Sequence, residues 1–554
     1  MELDLPMQTA IVLLVVTQLV IAAAATLAPR LKIPAPLILV FAGICVSLVP
    51  AVPDVAIDPN IILIGLLPPL LYASATSVPV VNFRRELIAI NGLSVVLVVL
   101  SSLALGAALV WLVPGLGFGW GVALGAILSP TDAVAVGIIK GHGVPGRVAV
   151  ILEGESLLND ASALILLRTA IAATSLGFSF LATLGAFAWS VGVAVTIGLV
   201  GARLSLAIRR RIRDEAVNTL LSFTTPFVAA VPAELLHGSG LVAAVVAGFA
   251  VGLRAKRELP PGHRVSDARN WATVEIALEG VIFLTMGLQL SSILRKLTTG
   301  PVGLERALGI SVLVLVVTIA VRGLYVALLL WRLQGRAQRE QARQPRVVEM
   351  QQALEAGRVP EEVAQQVRRW RMDVGERVLK KLVRRGRRNL ADLAYFARQR
   401  LGVGEGAVVV WAGMRGAVTV AAAQLLPAAT PHRSLLVFIA FAVATLSLLV
   451  QGGTIGLLAG RLFPGGASKP EADARDVDLG HIRTLLARAA GRVERRPDTP
   501  DKDHRLVVLR AQRIALLDAA DDGLFGADAL DLALRDLDID ELVLDLRSGV
   551  AESS

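Results

Sequence analysis

The chain has 554 residues, 55% of them hydrophobic and 18% charged, with a formal net charge of +10. That is not the composition of a soluble enzyme. Nucleic-acid binding is a poor account of the charge, because about a third of the Lys and Arg residues sit in one hydrophilic segment. The lone Cys45 excludes an internal disulfide, a cysteine-based zinc site and an iron–sulfur cluster.

Glu2 and Asp4 precede the first apolar run and no Lys or Arg does, so that run is expected to stay as a helix rather than to be cleaved as a signal peptide. Apolar length and breaker residues then predict thirteen spans, near 8–28, 33–50, 60–76, 87–113, 117–139, 147–174, 180–206, 217–236, 239–253, 272–291, 307–331, 406–427 and 434–463. An all-α polytopic membrane protein follows, because only helices satisfy their own backbone within such segments. Alternate connections gather Arg30/Lys32, Arg84/Arg85, Lys140/Arg147, Arg209 to Arg213 and Arg254 to Arg257 on one side, which the positive-inside rule makes cytoplasmic. The N-terminus is then outside and the C-terminus inside. Residues 1–463 form the transmembrane domain, 332–405 a basic cytoplasmic insertion, and 464–554 a cytoplasmic tail.

The insertion holds 17 Lys or Arg against 8 Asp or Glu over 336–400. Val363, Val367, Trp370, Val374, Val378 and Val383 approximate a helical stripe, which suits either a basic helix on the anionic inner leaflet or a solvated hairpin. The tail turns acidic from Asp518 onward, with leucines at 530, 534, 537, 542 and 546. It either docks on the basic insertion or serves as a solubilising end.

A charge at mid-bilayer costs about 2.5 to 3.5 kcal/mol on insertion scales, so each ionisable residue within a span is a candidate site. In the fifth span, Ser129-Pro130-Thr131-Asp132 interrupts an apolar helix, and Pro130 removes a hydrogen-bond donor there. In the twelfth, Gly413-Met414-Arg415-Gly416 does the same with glycines. The two breaks occupy matching places in spans 1–6 and 8–13, the pattern of an inverted-repeat transporter with its site where broken helices meet. Asp132 is suited to compensate the positive ends of half-helices and Arg415 the negative ends. The alternative is a simple proline kink and a snorkelling arginine.

The sixth span opens Glu153-Gly154-Glu155-Ser156-Leu157-Leu158-Asn159-Asp160. Counting from Arg147 at 1.5 Å per residue puts Glu155 about 12 Å and Asp160 about 20 Å deep. Ser156 and Asp160 share one helix face, and Glu155 and Asn159 the adjacent one. Such oxygens suit a hard monovalent cation, for which a proton competes at the Asp160 carboxylate. Arg322, in the eleventh span, lies about 15 Å from the cytoplasmic side. A Glu155–Arg322 ion pair would neutralise both charges and leave Asp160 as the single titrating group.

These residues resemble the monovalent cation/proton antiporters of the first subfamily, the sodium/proton exchanger family. The resemblance rests on Leu66-Leu67-Pro68-Pro69-Leu70-Leu71, on 129–136, on Gly154-Glu155-Ser156-Leu157-Leu158-Asn159-Asp160, on Phe283-Leu284-Thr285-Met286-Gly287-Leu288 and on 413–418. It implies a homodimer in the inner membrane, each protomer built on crossed broken helices, that exchanges Na⁺, or K⁺ or Li⁺, for H⁺ in electroneutral 1:1 fashion and contributes to pH and cation homeostasis. By resemblance Asp160 binds the cation and carries the proton, Asn159 pairs with it, Ser156 and the Thr131 backbone help to coordinate the cation, and Glu155 pairs with Arg322. No cofactor is implied. Close relatives often carry an acid shortly after the double proline, where this chain has Tyr72-Ala73-Ser74, so Na⁺ over K⁺ stays an expectation. The competing classes are a cation channel, which needs a continuous polar pore, and an intramembrane hydrolase. The latter lacks a base, since His142, His237, His263, His432, His481 and His504 are expected in loops or the tail.

Overall fold

A computed structural model describes residues 7–31, 33–49, 60–78, 80–132, 134–176, 180–298, 303–355, 392, 395, 396, 401–464, 469–495 and 500–552; among these there are helices and no strand. They divide into two units, the first Met1–Val78, Glu86–Val326 and Glu405–Gly466, the second Pro79–Arg85, Ala327–Gly404 and Ala467–Ser554. The valine stripe of 363–383 lies outside the described residues.

In chain order the helices are α1 (Met7–Leu31), α2 (Ala35–Ser47), α3 (Leu67–Ser77), α4 (Val80–Asn91), α5 (Leu97–Leu112), α6 (Phe118–Leu128), α7 (Val134–Lys140), α8 (Gly146–Leu176), α9 (Phe180–Arg209) and α10 (Glu215–Leu235). They continue with α11 (Gly240–Glu258), α12 (Pro261–Leu288), α13 (Leu290–Thr298), α14 (Leu304–Glu355), α15 (Val403–Trp411), α16 (Ala417–Gln424), α17 (Arg433–Ser447) and α18 (Gly453–Leu462). The tail forms α19 (Lys469–Gly491), α20 (Asp501–Asp522) and α21 (Ala527–Glu552).

Among the described residues, seven helical runs are long and apolar enough to cross a membrane, and Ala35–Ser47, Ile61–Ser77 and Phe118–Leu128 are shorter apolar helices. The other expected spans differ for several reasons: α2 is only 13 residues long, breaks divide some spans into half-helices, α8, though 31 residues long, carries Glu153, Glu155 and Asp160, and α11 ends in Arg254, Lys256, Arg257 and Glu258. Pro68 and Pro69 sit in the first turn of α3, where a missing N–H costs least, and the wider π-helical turn Ile61–Leu66 precedes them.

The α5–α6 pair shows how close packing holds a half-helix. A Cβ on Gly125 would lie 2.6 Å from the Ser102 carbonyl oxygen, so only glycine permits that approach, as at small-residue interfaces within membranes. Ser94, in the π-turn Gly92–Val96, donates to the Glu155 carbonyl at 3.3 Å and ties this layer to α8. At the start of α8, Arg147 donates from Nε to Glu86 at 2.7 Å, both side chains buried.

Arg209, the last residue of α9, is fully buried, with Nε donating to Asn218 Oδ1 at 2.8 Å and its guanidinium paired with Asp267. One expectation from the sequence is corrected: His263 is not in a loop. It is buried in the first turn of α12, beside the Arg213 carbonyl. Helix α12 begins at Pro261, well before the expected 272, and its first turns carry Asp267, which pairs with Arg209 of α9.

In the second unit the tail leucines build a core of their own. Leu530, Leu534 and Leu537 of α21 pack with Leu516 and Leu517 of α20 and Ile482 of α19. Arg513 bonds Glu541 at 2.6 Å and also pairs with Asp538. Arg85 donates to Asp392 at 2.6 Å and to the Gly523 carbonyl at 3.1 Å, and it stacks on the Tyr395 ring at 4.9 Å.

Candidate functional site

Helix α6 stops at Leu128 and α7 begins at Val134; α15 stops at Trp411 and α16 begins at Ala417. The two interruptions meet directly, the Asp132 N–H donating to the Met414 carbonyl at 2.9 Å. Asp132 Oδ1 accepts the N–H of Val134, the first residue of α7, at 2.9 Å. A Cβ added to Gly416, the N-cap of α16, would fall 1.6 Å from Asp132 Oδ2. The carboxylate therefore stands at the N-termini of two half-helices, where their dipoles are positive. Arg415 stands at the opposite ends. Its Nε donates at 2.7 Å to the carbonyl of Leu128, the last residue of α6, and its guanidinium also reaches the carbonyl of Gly413, just past α15. Its own N–H donates to Ser447 Oγ at 2.9 Å.

Helix α8 passes this junction unbroken. Glu155, Ser156, Asn159 and Asp160 are all buried. Arg322 grips Glu155 with two prongs, Nη2 to Oε2 at 2.8 Å and Nη1 to Oε1 at 2.5 Å, and also donates to the Val409 carbonyl at the end of α15. Added carbon at Gly413 would lie 2.4 Å from Arg322 Nε, so that glycine makes room for the guanidinium. Thr131 Oγ1 donates to Glu155 Oε1 at 3.2 Å and accepts from Asn159 Nδ2 at 2.6 Å. The Thr131 hydroxyl is thus used within the protein. The Ser156 hydroxyl donates to the Glu153 carbonyl at 3.1 Å, which leaves its lone pairs for another partner.

A cavity opens beside these groups. Thr131, Asp132, Ser156 and Asp160 line it, together with Ser74 and Glu279, and most of the remaining lining is apolar. Glu155, Asn159, Arg322 and Arg415 are not part of the lining and stand behind it. The expected residues therefore sort into a lining set and a supporting set. Asn159 Oδ1 is buried without a hydrogen-bond partner among the described residues.

Glu279 was not among the residues singled out from the sequence, and it makes Asp160 one of three carboxylates on the cavity. Its signal was available, an acid inside the apolar run 272–291, but Gly280 beside it does not interrupt the helix. The polar group after the double proline also has a partner that spacing could not reveal: Ser74 Oγ donates to Glu275 at 2.8 Å, across 201 residues of sequence.

The family described as sodium/hydrogen exchanger, transmembrane, matches residues 15–357 of the chain. An uncharacterised Na⁺/H⁺ exchanger of Escherichia coli (strain K12) is 34% identical over 273 residues, 48% of this chain and 50% of that protein, so the match spans about half the length of that relative. An uncharacterised Na⁺/H⁺ exchanger of Mycobacterium tuberculosis (strain ATCC 25618 / H37Rv) is 28% identical over 472 residues, 83% of this chain and 75% of that protein. Among solved structures, the sodium proton antiporter MjNhaP1 of Methanocaldococcus jannaschii at pH 8 aligns with a TM-score of 0.58 at 17% identity, covering 83% of this chain and 100% of that one. At that identity the likeness speaks for the fold.

Proposed function

We propose, from the premise that this chain belongs to the sodium/hydrogen exchanger family, that it exchanges a monovalent cation for H⁺ across the inner membrane, with Asp160 as the group that holds one or the other. The observation that carries this reading is the cavity itself: a buried carboxylate that makes no ion pair among the described residues, beside a hydroxyl whose lone pairs are unused among them. A bare cation entering a membrane-buried cavity loses its water and must find oxygens. Asp160, Ser156 and the Thr131 backbone supply them. A proton on Asp160 neutralises the same charge, so the two occupants exclude each other.

The neighbouring groups support that exchange without joining it. Arg322 neutralises Glu155, and Asn159 is uncharged and held to Thr131. Asp132 and Arg415 match the half-helix ends and keep the interrupted backbone favourable beside the cavity. One exchanging carboxylate per protomer gives one cation for one proton, an electroneutral cycle serving pH and cation homeostasis. Na⁺ is the expected cation, with K⁺ and Li⁺ as the alternatives. The loop arginines favour an outside N-terminus and a cytoplasmic C-terminus, and family resemblance favours a homodimer.

Proteoliposomes carrying a pH-sensitive dye test this reading. Adding Na⁺ outside should drive Na⁺ in and H⁺ out and so alkalinise the lumen, and Asp160→Asn, purified and folded, should abolish the response. Substantial exchange by that variant would remove Asp160 from the cycle, and a lumen that stays unchanged with the parent protein would sink the antiport reading.

A further inference from the structure

The carboxylate of Glu279 lines the same cavity as Asp160 but comes from α12 rather than α8. Among the described residues it makes no hydrogen bond and no ion pair, and it is half-buried, so water covers it only in part. Asp160 is in the same condition and is 6% exposed. The other acids nearby are accounted for: Glu155 by Arg322, Asp132 by the Val134 N–H, Glu275 by the Ser74 hydroxyl. Two unmatched carboxylates on one cavity of a membrane protein are electrostatically incomplete, because each loses hydration with no counter-charge in return.

We propose that Glu279 is a second cation-ligating carboxylate, so that the transported ion is held between α8 and α12 and Glu279 sets the affinity and the choice among Li⁺, Na⁺ and K⁺. This rests on the antiport reading above. The geometry suits it in two respects. Ligands on different helices allow the cavity width to select ion size, which a single helix face cannot do. Ser74, the cavity's polar group from α3, is already engaged by Glu275 one helical turn before Glu279 on α12, so α3 and α12 are tied at the point where Glu279 enters. Glu279 stays a ligand throughout and is not itself exchanged, so the count of one cation for one proton is unaltered.

The test reads binding and transport separately. In detergent, cation-dependent thermal shifts of the parent, Asp160→Asn, Glu279→Gln and Glu279→Asp are measured with Li⁺, Na⁺ and K⁺ chlorides at constant ionic strength. In proteoliposomes the apparent KM for each cation is measured for the same proteins. Glu279→Gln should raise the apparent KM for Na⁺ by about tenfold, the loss expected of one charge-assisted contact, with a smaller cation-induced thermal shift and exchange still insensitive to potential. Glu279→Asp withdraws the carboxylate by one methylene and should change the KM ratio of K⁺ to Li⁺ by at least about threefold, a readout that a purely structural role would leave unmoved. Unchanged KM values, ratios and cation-induced shifts in the folded Gln and Asp variants would overturn the proposal. Should Glu279→Gln fail to fold, the Asp variant decides by its ratio. Failure of the parent to exchange would instead count against antiport, and the thermal shifts would still report whether Glu279 binds the ion.

Discussion

Glu155 and Arg322 carry opposite charges into a region where each alone would be costly, and the structure brings them into two-pronged contact. Breaking such a buried pair from one side strands the other charge. Glu155→Gln and Arg322→Ala should each destabilise by about 3 to 5 kcal/mol, and the double variant by less than their sum. Thermal melts in detergent check this; strictly additive losses would contradict the coupling. The Val409 carbonyl, a second acceptor for Arg322, makes Arg322→Ala the more damaging of the two. Asp160 poses a different question, because the proposed function makes its partner exchangeable. If cation and proton compete for it, the apparent cation KM under symmetric pH should rise as pH falls while the maximal rate at saturating cation stays high on that side. KM values at three pH settings decide it. A constant KM with only the rate changing would mean that the proton acts elsewhere.

At the scale of elements, the four half-helices α6, α7, α15 and α16 turn their ends toward one another, and a single acid and a single base serve them all. Space is as exacting as charge. Gly416→Ala would drive a Cβ into Asp132 Oδ2, so Asp132 must turn away and give up the Val134 N–H. The expected cost is about 1 to 3 kcal/mol, together with a loss of transport. Gly137, on α7 with nothing near its missing Cβ, is the control: Gly137→Ala should stabilise by about 0.5 to 1 kcal/mol and leave transport intact. Equal behaviour of the two substitutions in melting experiments would show that Asp132 does not occupy the space beside Gly416.

For the whole molecule the pairing of charges has a consequence that no single residue shows. If Asp160 is the one exchanging group of each protomer, as proposed, and Glu155 stays neutralised by Arg322, a full cycle would move no net charge. The steady rate of exchange should then be insensitive to membrane potential. Proteoliposomes polarised with a permeant anion such as thiocyanate provide the measurement, and a clear dependence of rate on potential would rule out one-for-one exchange. In the second unit, Arg513 binding both Asp538 and Glu541 and the leucines of α20 and α21 account for an ordered tail where the sequence showed only an acidic, leucine-bearing stretch.

Much of this was legible in one dimension because its physics is local. Apolar runs of membrane length and breaks at Pro130 and at Gly413 and Gly416 announce apolar helices and their interruptions without any knowledge of packing. The contact of Glu155 with Arg322 was reachable by counting rise per residue along two antiparallel helices. What remained hidden depends on which helices are neighbours, and neighbours are chosen by shape. Sequence distance says nothing of Ser74 meeting Glu275, of Glu279 reaching the cavity that Asp160 lines, or of Arg209 being buried against Asn218 and Asp267 rather than facing water. Those arrangements arise from close approaches such as Gly125 on Ser102, where the absence of a side chain lets one backbone settle on another and so decides which polar groups share a space.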